Sequence, residues 1–219
     1  KVRNQNRISK NEQLSRQKEH AFNLLRCLQE ESLSPSNIFD IQKFGKFLAI
    51  THLWNAEHVF GLDDINFYFN PVTGLLEPIG FDAEPRTVTH KNFFTTGPYW
   101  VQFALKDLRF AKSYIKNLER LTRVDYLMKV KGAYSKYESK VRRLLIAEYL
   151  GKDSSTIWFN ANQIFKYEPW GKVFLRAKRI NDSLKMNRLV LSYARHFKDK
   201  HSLEISLRNA TSQPVEIIS

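Results

Sequence analysis

Asn66-Phe67-Tyr68-Phe69-Asn70-Pro71-Val72-Thr73-Gly74-Leu75-Leu76-Glu77-Pro78-Ile79-Gly80-Phe81-Asp82 is the stretch on which the fold of this chain turns. Two short runs of aromatic and branched residues, 65–69 and 75–81, flank Asn70-Pro71-Val72-Thr73-Gly74. Strand formers on either side of such a cluster predict a β-hairpin with a five-residue turn. Antiparallel pairing sets the two ends of a hairpin side by side. Asn66 at its opening and Asp82 at its close are therefore expected to be neighbours, although sixteen positions separate them.

Helical periodicity surrounds the hairpin. Leu14, Lys18, Ala21, Leu25 and Leu28 predict an amphipathic helix over 9–31, which Ser32-Leu33-Ser34-Pro35-Ser36-Asn37 breaks. Asp40 is placed to cap a second helix through Phe44, Phe47, Leu48, Ile50, Leu53 and Trp54, apolar over most of its circumference and so expected to be buried. After an irregular stretch, 84–97, helices are expected over 99–105 and through Leu108, Ala111, Tyr114, Ile115, Leu118 and Leu121. Asp125 or its neighbour would cap another through Leu127, Val130, Tyr134, Tyr137, Val141, Leu144, Leu145 and Tyr149. Asp153-Ser154-Ser155 would cap one over 157–187, interrupted near Pro169 and Gly171. Period-two alternation over 203–207 and 215–218 suggests strands. The expected fold class is mainly α with a small β-hairpin, an α+β chain. Its parts are an N-terminal helix and linker (1–38), a helical domain around hairpin 65–81 (39–202), and the start of a truncated β-rich segment (203–219). Trp54, Tyr99 and Trp100 read as core residues rather than a base-stacking platform.

Composition narrows the function classes. With 42% hydrophobic and 13% aromatic residues in 219, the chain belongs among globular proteins. No apolar run is long enough to span a bilayer, so membrane contact is not indicated. The polar start without Met reads as that of a fragment, and no targeting signal gives a compartment. The lone Cys27 excludes an internal disulfide and a cysteine-rich zinc site, and its apolar neighbours predict burial. His52 and Glu57 do not form a His-Glu-x-x-His zinc pattern. The net charge of +13 is unevenly spread. Residues 105–150 hold twelve Lys or Arg against five acids, whereas 55–90 holds Glu57, Asp63, Asp64, Glu77, Asp82 and Glu84 against Arg86 alone. The basic face reads as solvated surface rather than a nucleic-acid site. The gathered carboxylates suggest a hard, oxygen-ligated cation such as Mg2+.

Phosphoryl transfer by a kinase needs an acidic residue to orient the attacking hydroxyl, and an Asn and an Asp to hold Mg2+ against the phosphates. Here Asp63, Asp64 and Asn66 precede a hairpin and Asp82 follows it, an order that meets those needs without the HRD or DFG words. Phe39-Asp40-Ile41 through Leu48-Ala49, followed by residues 66–84, resembles the central motif of the CotH spore-coat kinases. In that family an Asp opens a helix, an Asn begins a tyrosine-rich strand, a Gly turn follows, and a hydrophobic strand runs into Asp-x-Asp. The resemblance implies a kinase C-lobe fold and ATP as cofactor with Mg2+ or Mn2+. It also implies a protein Ser, Thr or Tyr hydroxyl as acceptor, and Asn66, Asp82 and Glu84 around the metal. Glu84 stands where the family has a second Asp. Gly61 stands where its catalytic Asp commonly falls, five residues before Asn66, which leaves Asp63, Asp64 or His58 for that role. For His58 the competing reading is a loop histidine bonded to backbone. No glycine-rich loop or strand-borne lysine precedes the motif, so a missing N-terminal lobe is an expected partner and the fragment alone is expected to be inactive. The rival readings are a pseudokinase-like scaffold and a basic helical module that binds nucleic acid.

Overall fold

The computed structural model describes residues 4–61, 64–81, 98–150, 169–185, 190–197 and 202–209. Helices α1 (Gln5–Ser9), α2 (Glu12–Gln29) and α3 (Ile41–Trp54) lead to the hairpin of β1 (Asn66–Asn70) and β2 (Leu75–Ile79). Helices α4 (Tyr99–Lys106), α5 (Leu108–Leu121), α6 (Val124–Leu150) and α7 (Pro169–Lys185) follow, then β3 (Val190–Phe197) and β4 (Ser202–Asn209). The chain is thus mostly helical with small antiparallel sheets. Among the described residues no helix is long and apolar enough to cross a membrane.

Helix α3 is the centre. Asp40 caps it as expected, accepting from the backbone N–H groups of Gln42 at 3.1 Å and Lys43 at 3.0 Å. One face of α3 lies on α5, and Gly45 makes the approach possible. A Cβ there would stand 2.5 Å from Ser113 Oγ and 2.9 Å from the backbone N of Tyr114. Around this crossing Phe39, Phe44, Leu48, Phe60, Phe110, Tyr114 and Leu118 are buried. The Phe44 ring meets Phe39, Phe67, Trp100 and Phe110. Each such side chain contributes about 1.5–3 kcal/mol by leaving water. Trp100 belongs to this core as expected, donating from Nε1 to the Phe60 carbonyl at 3.2 Å, and Trp54 packs on Trp170. Tyr99 does not. It is 66% exposed and its hydroxyl bonds to Glu31, because α4 turns Val101 and Ala104 inward instead. Cys27 is half-buried against the core. The first expected helix is divided at Lys10 and Asn11, where Asn11 accepts from Leu14 N–H at 3.0 Å and starts α2 afresh.

The hairpin forms with Asn66 opposite Ile79 and Asn70 opposite Leu75. It begins one residue later than expected, and the turn is shorter, because Asn70 belongs to both. Asn70 Oδ1 accepts from Val72 N–H at 2.9 Å, closing the turn, while its Nδ2 donates to Glu77 across the strands at 2.7 Å. Gly74 has φ 70°, a left-handed conformation that glycine adopts freely. Leu76, Phe67 and Phe69 pack on the core, whereas Tyr68 and Ile79 face solvent. A two-stranded ribbon is marginal alone. This one is anchored to the approach of α3: Asp40 N–H donates to Leu76 O and Leu76 N–H to Ile38 O, both at 2.9 Å, in parallel pairing.

Lys43 Nζ adds a side-chain tie, 2.7 Å from Glu77 and 3.6 Å from Asp40. The Lys43 hydrogen bond, then that of Asn70, holds the Glu77 carboxyl below its ordinary range, and Glu77 in turn raises Lys43. A carboxyl lowered by folding stabilises above its unfolded pKa and loses that contribution as pH falls through its folded pKa. Glu77→Gln is therefore expected to lower the thermal midpoint by up to a few degrees at neutral pH. The difference from wild type should close on acidification below the glutamate range. A midpoint difference that is constant from neutral to acid pH would refute the tie.

Helix α6 departs most from expectation. Asp125 lies inside its first turn and pairs with Arg123 instead of capping, while Leu127 N–H donates to Arg123 O. Leu127 is buried, yet Tyr134 and Tyr137 are 60% and 68% exposed. Beyond its first turns the helix leaves the α3–α5 core, and Glu138 meets Trp170 Nε1 at 3.0 Å. Pro169 opens α7, the position at which its missing N–H costs nothing, and Gly171 lies within that helix. The capping cluster 153–155 and the strand 215–218 fall outside the described residues. The strand 203–207 lies within β4, whose partner is β3, with Val190 opposite Asn209. This second hairpin therefore straddles residue 202.

Candidate functional site

The segment joining α3 to β1 carries most of the described candidate residues. Helix α3 ends at Asn55, in the left-handed region at φ 56°, and the chain reverses into a 3-10 turn, Glu57–Phe60. Val59 and Phe60 are buried and fasten this turn to the core. His58 lies in it half-buried, its carbonyl accepting from Gly61 N–H at 2.8 Å. Asp64 N–H and Ile65 N–H then donate to Gly61 O at 3.0 and 2.9 Å. The Asp64 carboxylate lies over Gly61, its Oδ2 3.2 Å from where a Cβ would stand. Asn66 follows as the first residue of β1, its Nδ2 donating to Asp64 O at 2.9 Å. That bond fixes the amide and leaves Oδ1 as its oxygen donor, the kind of ligand hard cations take.

His58, Asp64 and Asn66 thus share one short loop. Asp63, Asp82 and Glu84 lie outside the described residues. Among the described residues, no three His, Cys, Asp or Glu side chains gather as a metal site. Of the three acids between 55 and 90 among the described residues, Glu57, Asp64 and Glu77, two have structural partners. Glu77 binds Lys43, and Glu57 accepts from Arg176 Nη2 at 2.9 Å. Part of the local acidity is therefore matched by partners within the fold and does not by itself require a cation.

A second group escapes sequence reading. His52 is fully buried, its Nδ1 2.5 Å from Tyr114 Oη and its Nε2 3.9 Å from Glu57 Oε1. Arg176, 4% exposed, donates from Nε to the His52 carbonyl and from Nη2 to Glu57. Burial, then the charge of Glu57, pushes the Tyr114 hydroxyl far above its ordinary range. Burial lowers Arg176, and Glu57 opposes that shift. Glu57 and Arg176 are 119 residues apart, so no local pattern pairs them. One signal was present: Arg176 shares a helical stripe with Val173, Ala177 and Ile180, all buried, and a charge there needs a partner.

No family model, curated protein or solved structure matches the chain.

Proposed function

We propose that this chain is the helical lobe of an atypical protein kinase similar to the CotH spore-coat kinases, binding Mg2+–ATP and transferring phosphate to protein hydroxyls. The observation that carries the reading is the hairpin register. Asn66 stands opposite Ile79, and Asp82 is three residues further on. Three residues of chain reach at most about 10 Å, which supports a reading in which Asp82 acts beside the end of the hairpin that Asn66 opens. Asn66, Asp82 and Glu84 offer oxygen donors suited to Mg2+ or Mn2+, and such a cation, when bound, would neutralise charge on the transferred phosphoryl group. Asp64, on the same loop as Asn66, suits the orientation of the acceptor hydroxyl, with Asp63 and His58 as alternatives for that role. Tyr68, Ile79 and Phe81 are each exposed, and on this reading they are available to the lobe that the resemblance requires upstream.

A second reading, a basic module for nucleic acid, draws on α6, where Lys129, Lys136 and Lys140 are exposed alongside Tyr134 and Tyr137. Both are tested on the full-length natural protein. Calorimetric titration with ATP should show binding that requires Mg2+. Reversing the charges of Lys129, Lys131, Lys136 and Lys140 should leave that affinity nearly unchanged, since exposed charges beyond about 8 Å are screened at physiological salt. Absence of metal-dependent nucleotide binding, with single-strand binding that falls steeply with salt, would replace the kinase by the second reading.

A further inference from the structure

Arg176 grips the chain on both sides of the reversal that ends α3. Its Nε holds the carbonyl of His52 in the last turn of α3, and its Nη2 holds the carboxylate of Glu57, the first residue of the 3-10 turn. Between the two the backbone passes through the left-handed Asn55. A guanidinium suits this position because its donors lie in one rigid plane, and the last carbonyls of a helix carry the negative end of its dipole. His52 extends the contact to α5, facing the same Glu57 oxygen at 3.9 Å while meeting Tyr114 at 2.5 Å. Four segments, α3, the 3-10 turn, α5 and α7, therefore meet at one buried polar cluster.

Such a cluster is a poor way to gain stability. Removing two charges from water costs about as much as their attraction returns, and apolar side chains of similar volume commonly serve as well or better. A buried pair does supply direction: it is satisfied in one geometry and penalised in others. Glu57 adjoins His58 and precedes Asp64 and Asn66 by seven and nine residues.

We infer that Arg176, acting through Glu57, is a positioning residue that fixes the loop carrying His58, Asp64 and Asn66 against α7. What the loop does rests on the kinase reading; how it is held rests on the contacts above. The test uses the full-length protein with two variants, the double substitution Glu57→Leu with Arg176→Met, and Arg176→Lys alone. Amide hydrogen exchange is followed over 55–66, with 44–50 and 116–121 as core references, beside the thermal midpoint and Mg2+–ATP affinity. The double variant should keep a midpoint within a few degrees of wild type. Its amides over 55–66 should exchange about tenfold faster while the reference segments do not change. Nucleotide affinity should fall by a similar factor. If the double variant does not fold, Arg176→Lys decides, since it keeps the charge but its single ammonium cannot reproduce the two-point grip. The same local acceleration is expected there. Wild-type exchange over 55–66 in a folded variant would overturn the inference, as would acceleration spread evenly over the references. Wild-type protein that ignores Mg2+–ATP would end the kinase reading, while the exchange result would still decide the positioning role.

Discussion

Gly45→Ala should destabilise the protein by about 1–3 kcal/mol, as overpacking a tight interior does. Helix propensity argues the other way, since alanine exceeds glycine by about 1 kcal/mol inside a helix. The distances decide between the two. The new methyl would stand 2.5 Å from Ser113 Oγ, which can rotate, and 2.9 Å from the backbone N of Tyr114, which cannot move without α5. Helix α5 carries the fully buried Phe110, Tyr114 and Leu118, so a shift would disturb the crossing that organises the core. Ser113→Gly in the same chain removes the side-chain obstacle but not the backbone one, and should recover only part of the loss. Denaturant midpoints at constant slope measure both. A Gly45→Ala protein as stable as wild type would show that the α3–α5 crossing has slack.

On the proposed kinase reading Mg2+–ATP raises the thermal midpoint of the full-length protein, by about 2.7 kcal/mol of stability when ligand is at a hundred times its Kd, and Asp82→Asn should abolish that rise. The amide keeps the shape of the carboxyl and removes the charge that holds a divalent cation. On the kinase reading the same change, without ligand, removes repulsion between residue 82 and Asp63, Asp64 or Glu84, so the apo midpoint should stay level or rise slightly. Retention of the wild-type shift, or an apo protein that no longer folds, would make Asp82 a structural residue and remove the main support for phosphoryl transfer.

What was legible in the sequence was local. Asp40 before an apolar run announced α3, and the Gly-containing turn between aromatic segments announced the hairpin, because capping and turn chemistry act within a few residues. The one-residue shift at Asn70 arose because a single side chain closes the turn and bridges the strands, which no propensity anticipates. Tyr134 and Tyr137 show the limit of periodicity: it identifies an amphipathic helix without saying what, if anything, covers its apolar side. The β3 segment mixes Arg195 and His196 with apolar residues and lacks clean alternation, so only its pairing with β4 reveals it. Glu57 read as part of an acidic cluster because its guanidinium partner arrives 119 residues later. Around the candidate residues, the sequence made legible a loop and a hairpin opening, but neither the hairpin's register nor the cluster that holds the loop.

The pairing of residues 38–40 with Leu76 bears on how the protein is made. On a ribosome the hairpin and the start of α3 emerge within a few tens of residues of each other, so that loop closes early and at modest entropic cost. The contacts of α3 with α5 must wait for Tyr114, and its C-terminal carbonyl waits for Arg176, more than a hundred residues downstream. A nascent chain therefore holds α3 half-clothed, with Phe44 and Leu48 unshielded on one side, until α5 and then α7 arrive. That interval is when a chaperone or a premature stop would matter most.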